Sequence, residues 1–387
     1  MIWNKDLEGE GLNIAASNEK RIRVLAGPGS GKTFCLMRRI ARLLEEGVDP
    51  ESILLVTFTR TAASDLKQEL KKLKVKGVKK IKAGTLHSFC YGILQRDTVL
   101  QITGRQPRPL FKYEIDLLIK DLMKKTNLGK RQIEKKIKAF ESAWAMLQTD
   151  TPGWPANASD RLFHNQLIEY LKYHEAMLIG EVIPETLKYI KNNPSAEERK
   201  KYKYVFVDEF QDLNKAEQEL ISIIAKKAHY MVIGDEDQSI YEKFRYAHPE
   251  GIRKFHYDHK NTIDYNLSEC RRCPTDVVKV ADTFIQNNLN RENRRLRPRS
   301  ENDKGKIYSI QWPSFEEEAD GIVSFIEERI RQGVNAGDIL VMCPRRQLGY
   351  AIKYKLRKKA IEAHSFFNEE ILDEEDAQKA VTFLKLF

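Results

Sequence analysis

The segment Val24-Leu25-Ala26-Gly27-Pro28-Gly29-Ser30-Gly31-Lys32-Thr33 constrains this chain more than any other. It reads as the end of a short apolar strand, a glycine-rich turn and the first residues of a helix. A turn that ends in Gly31-Lys32-Thr33 has the pattern of a phosphate-binding loop. Glycines let successive backbone N–H groups point inward, and the helix N-terminus adds the positive end of its dipole. In such a loop, residues Ala26 to Thr33 wrap the phosphates. Lys32 reaches the β- and γ-phosphates, and the Thr33 hydroxyl is a ligand for Mg²⁺. Ala26 stands where the first glycine of the pattern is usual. The alternative is a glycine-rich turn with no ligand, but the flanking strand and helix are the context the motif needs.

A phosphate loop needs acidic partners. Val205-Phe206-Val207-Asp208-Glu209 carries two carboxylates to the end of an apolar run, the place where open α/β sheets bind ligands. Asp208 is expected to hold Mg²⁺, directly or through water, and Glu209 to orient or deprotonate the attacking water. Two acids after a strand also serve as ordinary capping residues. A third strand-like run leads to Gly234-Asp235-Glu236-Asp237-Gln238, where Gln238 suits the sensing of a γ-phosphate. Beyond it, Phe244 and Arg245 offer a ring for base stacking and a cation for phosphate.

Composition narrows the partner. The 387 residues carry a formal net charge of +10, with 32% charged and 41% hydrophobic residues. That balance suits a polyanion, nucleic acid above all, although a merely lysine-rich surface has the same charge. No apolar run is long enough to span a bilayer and the N-terminus does not read as a signal peptide, so an intracellular, cytoplasmic protein is expected. The five cysteines, of which Cys270 and Cys273 form a lone C-x-x-C, suggest neither a disulfide framework nor a zinc site. Arg291, Arg294, Arg295, Arg297 and Arg299 read equally as phosphate contacts or as a mobile basic loop.

Strand and helix patterns alternate over the first ninety residues, which implies a parallel sheet with right-handed crossovers. Helical periodicity takes over from about Tyr91 to Lys203. One face carries Leu117, Leu118 and Leu122, another Ile133, Ile137, Phe140 and Trp144. The sheet pattern then resumes. The expected organisation is an α/β nucleotide-binding domain in residues 1–90 and 204–264, a helical insertion in 91–203 and a second α/β domain in 265–387. In the last, Lys306–Ile310 and Ile339–Met342 are read as strands.

Taken in order, these motifs resemble those of superfamily 1 helicases of the UvrD/Rep type. Besides the stretches above, Thr57-Phe58-Thr59-Arg60-Thr61-Ala62-Ala63, Gly84-Thr85-Leu86-His87-Ser88-Phe89 and Leu267-Ser268-Glu269-Cys270-Arg271-Arg272 carry the likeness. The resemblance implies an α/β, P-loop NTPase fold with two RecA-like parallel sheets, the second incomplete here. It implies ATP and Mg²⁺ in the cleft between them and DNA, single-stranded or partly duplex, across the top. By the same likeness Phe58, Thr59, Arg60, Thr85, His87, Phe244 and Arg245 face DNA, and Arg272 is an arginine finger on the γ-phosphate.

The chain departs from the family pattern around the adenine site. No glutamine stands upstream of the loop, Phe34 replaces an arginine, and Arg271 replaces an aromatic residue. Phe34 or Arg271 can still stack on a base. Phe244 takes the place of the common tryptophan. Nothing after Val341 matches the last two family motifs, so a fragment, or a partner chain that completes the second domain, is expected. The function implied is an ATP-driven, 3′-to-5′ DNA helicase or translocase. A nucleic-acid-binding ATP switch, or a helicase–nuclease subunit that does not itself unwind, is the alternative. A P-loop ATPase acting on protein or small molecules fits His87, Phe244 and Arg245 less well.

Overall fold

Six of the apolar runs pair into one sheet. In the computed structural model, which describes residues 2–148, 154–155 and 157–365, these are β1 (Arg21–Ala26), β2 (Ile53–Thr57), β3 (Lys82–Thr85), β4 (Tyr204–Val207), β5 (His229–Gly234) and β6 (Ile263–Leu267). Their order is β3-β2-β4-β5-β1-β6, and every neighbouring pair is parallel. Inner strands of a parallel sheet are covered on both faces and so are mostly apolar. β2 is an example. Ile53 and Leu55 pack with Leu36, Ile40, Leu66 and Leu70, from helices Lys32–Glu45 and Arg60–Lys72. Leu54 and Val56 pack on the other side with Phe89, Ile93, Leu220 and Ile224, from helices Leu86–Leu94 and Lys215–Ala225. Each such aliphatic side chain, fully buried, stabilises the fold by about 2 kcal/mol.

Between β3 and β4, helices Lys112–Thr126, Lys130–Ala145 and Ala158–Tyr173 build their own core. Ile133, Ile137, Phe140 and Trp144 are buried, as their spacing predicts. Leu117 is 51% exposed while Leu118 and Leu122 are buried, so only two of the three leucines lie on the inward stripe. Phe140 is the centre of this core, with the Phe163 and Trp154 rings 6.0 and 5.2 Å away.

The chain divides into two compact units, Met1–Lys306 and Ile307–Phe387. The expected domain division at 264/265 falls inside β6, which the first sheet recruits. A buried charge explains it. Arg23 lies mid-strand in β1 and is 4% exposed. Its guanidinium donates to both oxygens of Asp264 at 2.8 and 2.7 Å, and to Glu292 at 3.0 Å. A cation on an inner strand must be paired, and β6 with the segment after it provides the pairs.

In the second unit, helices Phe315–Arg331 and Arg346–Lys358 pack through Val323, Ile326, Leu348, Ile352 and Leu356. The expected strands at Lys306–Ile310 and Ile339–Met342 are not part of any ladder among the described residues. A strand exists only by pairing, and these two segments leave Ile307, Tyr308, Leu340 and Met342 exposed.

Candidate nucleotide and nucleic-acid site

All six strands run the same way, so their C-terminal ends share one edge, and every candidate motif leaves the sheet there. β1 leads into the loop at Gly27–Lys32. Gly29 and Gly31 take φ of +68° and +90°, backbone that side chains rarely adopt. The Ser30 hydroxyl folds back to donate to the Gly27 carbonyl at 2.7 Å. Helix Lys32–Glu45 then starts with no side-chain cap at Gly31, which leaves first-turn N–H groups for an anion.

β4 delivers Asp208 and Glu209. Glu209 adopts a left-handed backbone, φ +51°, uncommon for any residue but glycine and found where a site demands an aimed side chain. Its carboxylate meets Lys32 Nζ at 2.9 Å. The Gln211 amide donates to the same oxygen at 3.0 Å, and its carbonyl accepts the Asp235 N–H at 3.0 Å. Asp235, at the end of β5, accepts in turn from the Gln238 side-chain amide. Lys32, Glu209 and Gln238 thus belong to one hydrogen-bonded chain through Gln211 and Asp235. Neither of these two linkers was singled out from sequence, although both lie inside the acidic motifs.

Burial first, and then the Glu209 charge, raises the pKa of Asp208; Lys32 pulls against them. The same two causes push Asp212 up to about 7. A buried acid that resists ionising is a place where a cation is favourable, so Asp208 fits the expected Mg²⁺ ligand. Among the described residues no three His, Cys, Asp or Glu side chains cluster as a metal site.

The segment after β6 closes over the loop. The Arg271 N–H donates to the Gly29 carbonyl at 2.9 Å. A β-carbon at Gly29 would lie only 2.9 Å from Arg272 Cβ and Cys270 Sγ, so glycine is required for this close approach. Both expected arginines therefore sit at the loop.

These features have a known counterpart. Residues 7–260 match the model of the UvrD/REP helicase N-terminal domain, and residues 265–387 that of the UvrD-like helicase C-terminal domain. The chain belongs to the UvrD/Rep helicase family. It is 28% identical over 397 residues to a probable DNA helicase II homolog of Mycoplasma capricolum, covering 98% of this chain and 54% of that protein. It is 27% identical over 384 residues to the ATP-dependent DNA helicase PcrA of Staphylococcus aureus, covering 96% and 52%. The chain therefore spans about half the length of these relatives. The six-stranded sheet is the RecA-like P-loop core of the family.

The residues expected to face DNA gather at the β2 and β3 end of the same edge. Phe58 follows β2, with the Tyr241 ring 5.3 Å away and the Arg245 guanidinium 5.1 Å over its own ring. Tyr241 was not among the expected contacts; an aromatic residue just past Gln238 is the signal that could have found it. Thr59 and Thr85 cap the helices that begin at Arg60 and Leu86, accepting from the Ala62 and Ser88 N–H groups at 3.1 and 3.2 Å. His87 Nδ1 lies 3.5 Å from Glu217 Oε1. Loss of solvent and the Arg245 and Arg60 charges hold the His87 pKa below its usual value. Phe244 belongs to the short helix Glu242–Arg245; its side chain lies outside the described residues. A cavity of about 240 Å³ touches Phe58 and Tyr241 as well as Glu209 and Gln238, so the two candidate sites adjoin.

Of the residues expected to stack on a base, Phe34 is 38% exposed, and its ring carries the Arg38 guanidinium at 4.7 Å. Arg271 Nε lies 3.6 Å from Glu269.

Proposed function

We propose that this chain is the ATP-driven motor part of a DNA helicase that moves 3′-to-5′ along single-stranded DNA. The reading rests on its family and on one observation above all. Lys32, Glu209 and Gln238 belong to one polar chain through Gln211 and Asp235, and a cavity lined by Glu209 and Gln238 is lined also by Phe58 and Tyr241.

In this reading Lys32 is the switch. While it pairs with Glu209, it occupies one of the two carboxylate oxygens. A triphosphate in the loop competes for Lys32, and Glu209 is then free to orient water. Mg²⁺, held by Thr33 and Asp208, would add charge stabilisation at the β- and γ-phosphates. Gln238 reads the γ-phosphate position, and its loop continues into Tyr241 and Arg245, so nucleotide state is transmitted to the DNA platform. Arg272 contributes positive charge where it develops in phosphoryl transfer. Stacking of bases on Phe58 and Tyr241 requires no particular sequence. Among the described residues no helix is long and apolar enough to cross a membrane.

ATP turnover is expected to rise on addition of single-stranded DNA, and duplexes with a 3′ tail to be displaced in preference to those with a 5′ tail. A turnover rate indifferent to DNA would sink the helicase reading. DNA-stimulated turnover without strand displacement would favour the non-unwinding ATP switch.

A further inference from the structure

In the basic stretch after helix Thr275–Ile285, Arg295 and Arg297 are exposed, but two of the arginines are turned inward. Arg291 and Arg294 are both nearly buried and face the acidic triplet Asp235-Glu236-Asp237. Arg291 grips Asp237 with two bonds, at 2.9 and 2.6 Å. Arg294 is 9% exposed and donates to all three acids, at 3.1 Å to Glu236 and Asp237 and closely to Asp235. The stretch is anchored at its far end by Asp282, which accepts the Leu296 N–H at 2.9 Å and pairs with Arg295 at 3.0 Å. Leu296 lies against the phosphate loop, since a β-carbon at Gly27 would come within 2.5 Å of its Cδ1. One strap, residues 291–296, thus touches both the phosphate loop and the segment that carries Gln238.

We propose that Arg294 is a positioning residue for γ-phosphate recognition: it holds Asp235, and Asp235 holds the Gln238 amide. The two oxygens of Asp235 are divided. One accepts from Arg294 and from the Asp237 N–H at 3.1 Å, the other from the Gln238 side chain. A carboxylate is a rigid plane, so fixing one oxygen aims the other. Without Arg294, three neighbouring carboxylates stand in a buried place with Arg291 on only one of them. Repulsion between like charges there favours outward rotation of Asp235, which removes the acceptor that orients Gln238. Lysine substitutes only in part: it keeps the charge but lacks the pre-oriented planar guanidinium that sets one nitrogen, Nη2, among all three acids. The proposal rests on the reading of Gln238 as the γ-phosphate sensor.

The test compares the affinity of the whole chain for a fluorescent ADP and for a fluorescent non-hydrolysable ATP analogue, both with Mg²⁺. Wild type is expected to prefer the triphosphate, and Gln238→Ala to lose that preference. Arg294→Gln is expected to lose about tenfold of it, as for one charged hydrogen bond, with ADP affinity near wild type. The double variant should lose no more than either single one. Arg294→Lys, which retains the charge if the glutamine variant does not fold, should lose part of the preference. Full preference in either Arg294 variant, or multiplied losses in the double variant, overturns the proposal. A Gln238→Ala chain that still prefers the triphosphate overturns instead the reading of Gln238 on which the proposal stands.

Discussion

Lys32 and Glu209 hold each other at 2.9 Å, and the strain of a left-handed Glu209 backbone persists because Gln211 fixes the same carboxylate from the other side. The pair satisfies a lysine that is otherwise mostly buried, and in the proposed reading Glu209 turns to water once a triphosphate competes for Lys32. Lys32→Ala is therefore expected to lower ATP turnover by about 10²- to 10³-fold, the effect of removing one preorganised charge from a transition state. Nucleotide-free DNA binding should remain near wild type, because the DNA platform at Phe58 and Arg245 is built from other residues. Turnover assays with a DNA-binding titration of the same preparation check both halves. DNA affinity lost together with turnover would contradict the separation of the two sites.

Helix Lys215–Ala225 illustrates how an element ties the site to stability. Its capping box joins Asn214 and Glu217 through reciprocal bonds at 3.0 and 2.9 Å, and the Glu217 carboxyl ends up buried beneath His87. Burial pushes Glu217 from 4.5 up to about 7. The folded state therefore keeps a proton that the unfolded chain releases, and stability falls as pH rises from about 4.5 through about 7. Asp212 acts in the same direction, while the lowered His87 acts against it. Glu217→Gln keeps the cap acceptor and removes the titration. It should leave stability near wild type at low pH and raise it at pH about 8, by at most about 3 kcal/mol. Urea midpoints at the two pH values measure this. An equal change at both would mean that packing, not ionisation, is what Glu217 contributes.

The whole molecule combines a net charge of +10 with a sheet edge on which six strands deliver their loops. Single-stranded DNA binding should weaken linearly in log–log salt plots, because phosphate contacts release counterions. Arg245→Ala should reduce that slope by about one, the signature of one lost phosphate contact; an unchanged slope would leave Arg245 as a stacking group alone. Much of this site was legible before any fold was known. Gly27 to Thr33, Asp208, Glu209 and Gln238 each sit within a few residues of an apolar strand, and parallel strands share an edge, so local pattern plus sheet geometry already implied their meeting. Other parts had no local signature. Tyr241 pairs with Phe58 across 183 positions of chain, counted from their numbers. The buried Arg23 pairs with Asp264 and so ties β6 to the first sheet, a contact between residues 241 positions apart. Arg294 stands in a run of arginines that composition cannot tell apart, and only its burial against Asp235 separates it from its exposed neighbours. Residue type and spacing define which chemistry a segment can perform, since a phosphate loop or an acidic strand end is a local object. Which buried charge meets which partner depends on desolvation and long-range packing, and those exist only once the chain has folded.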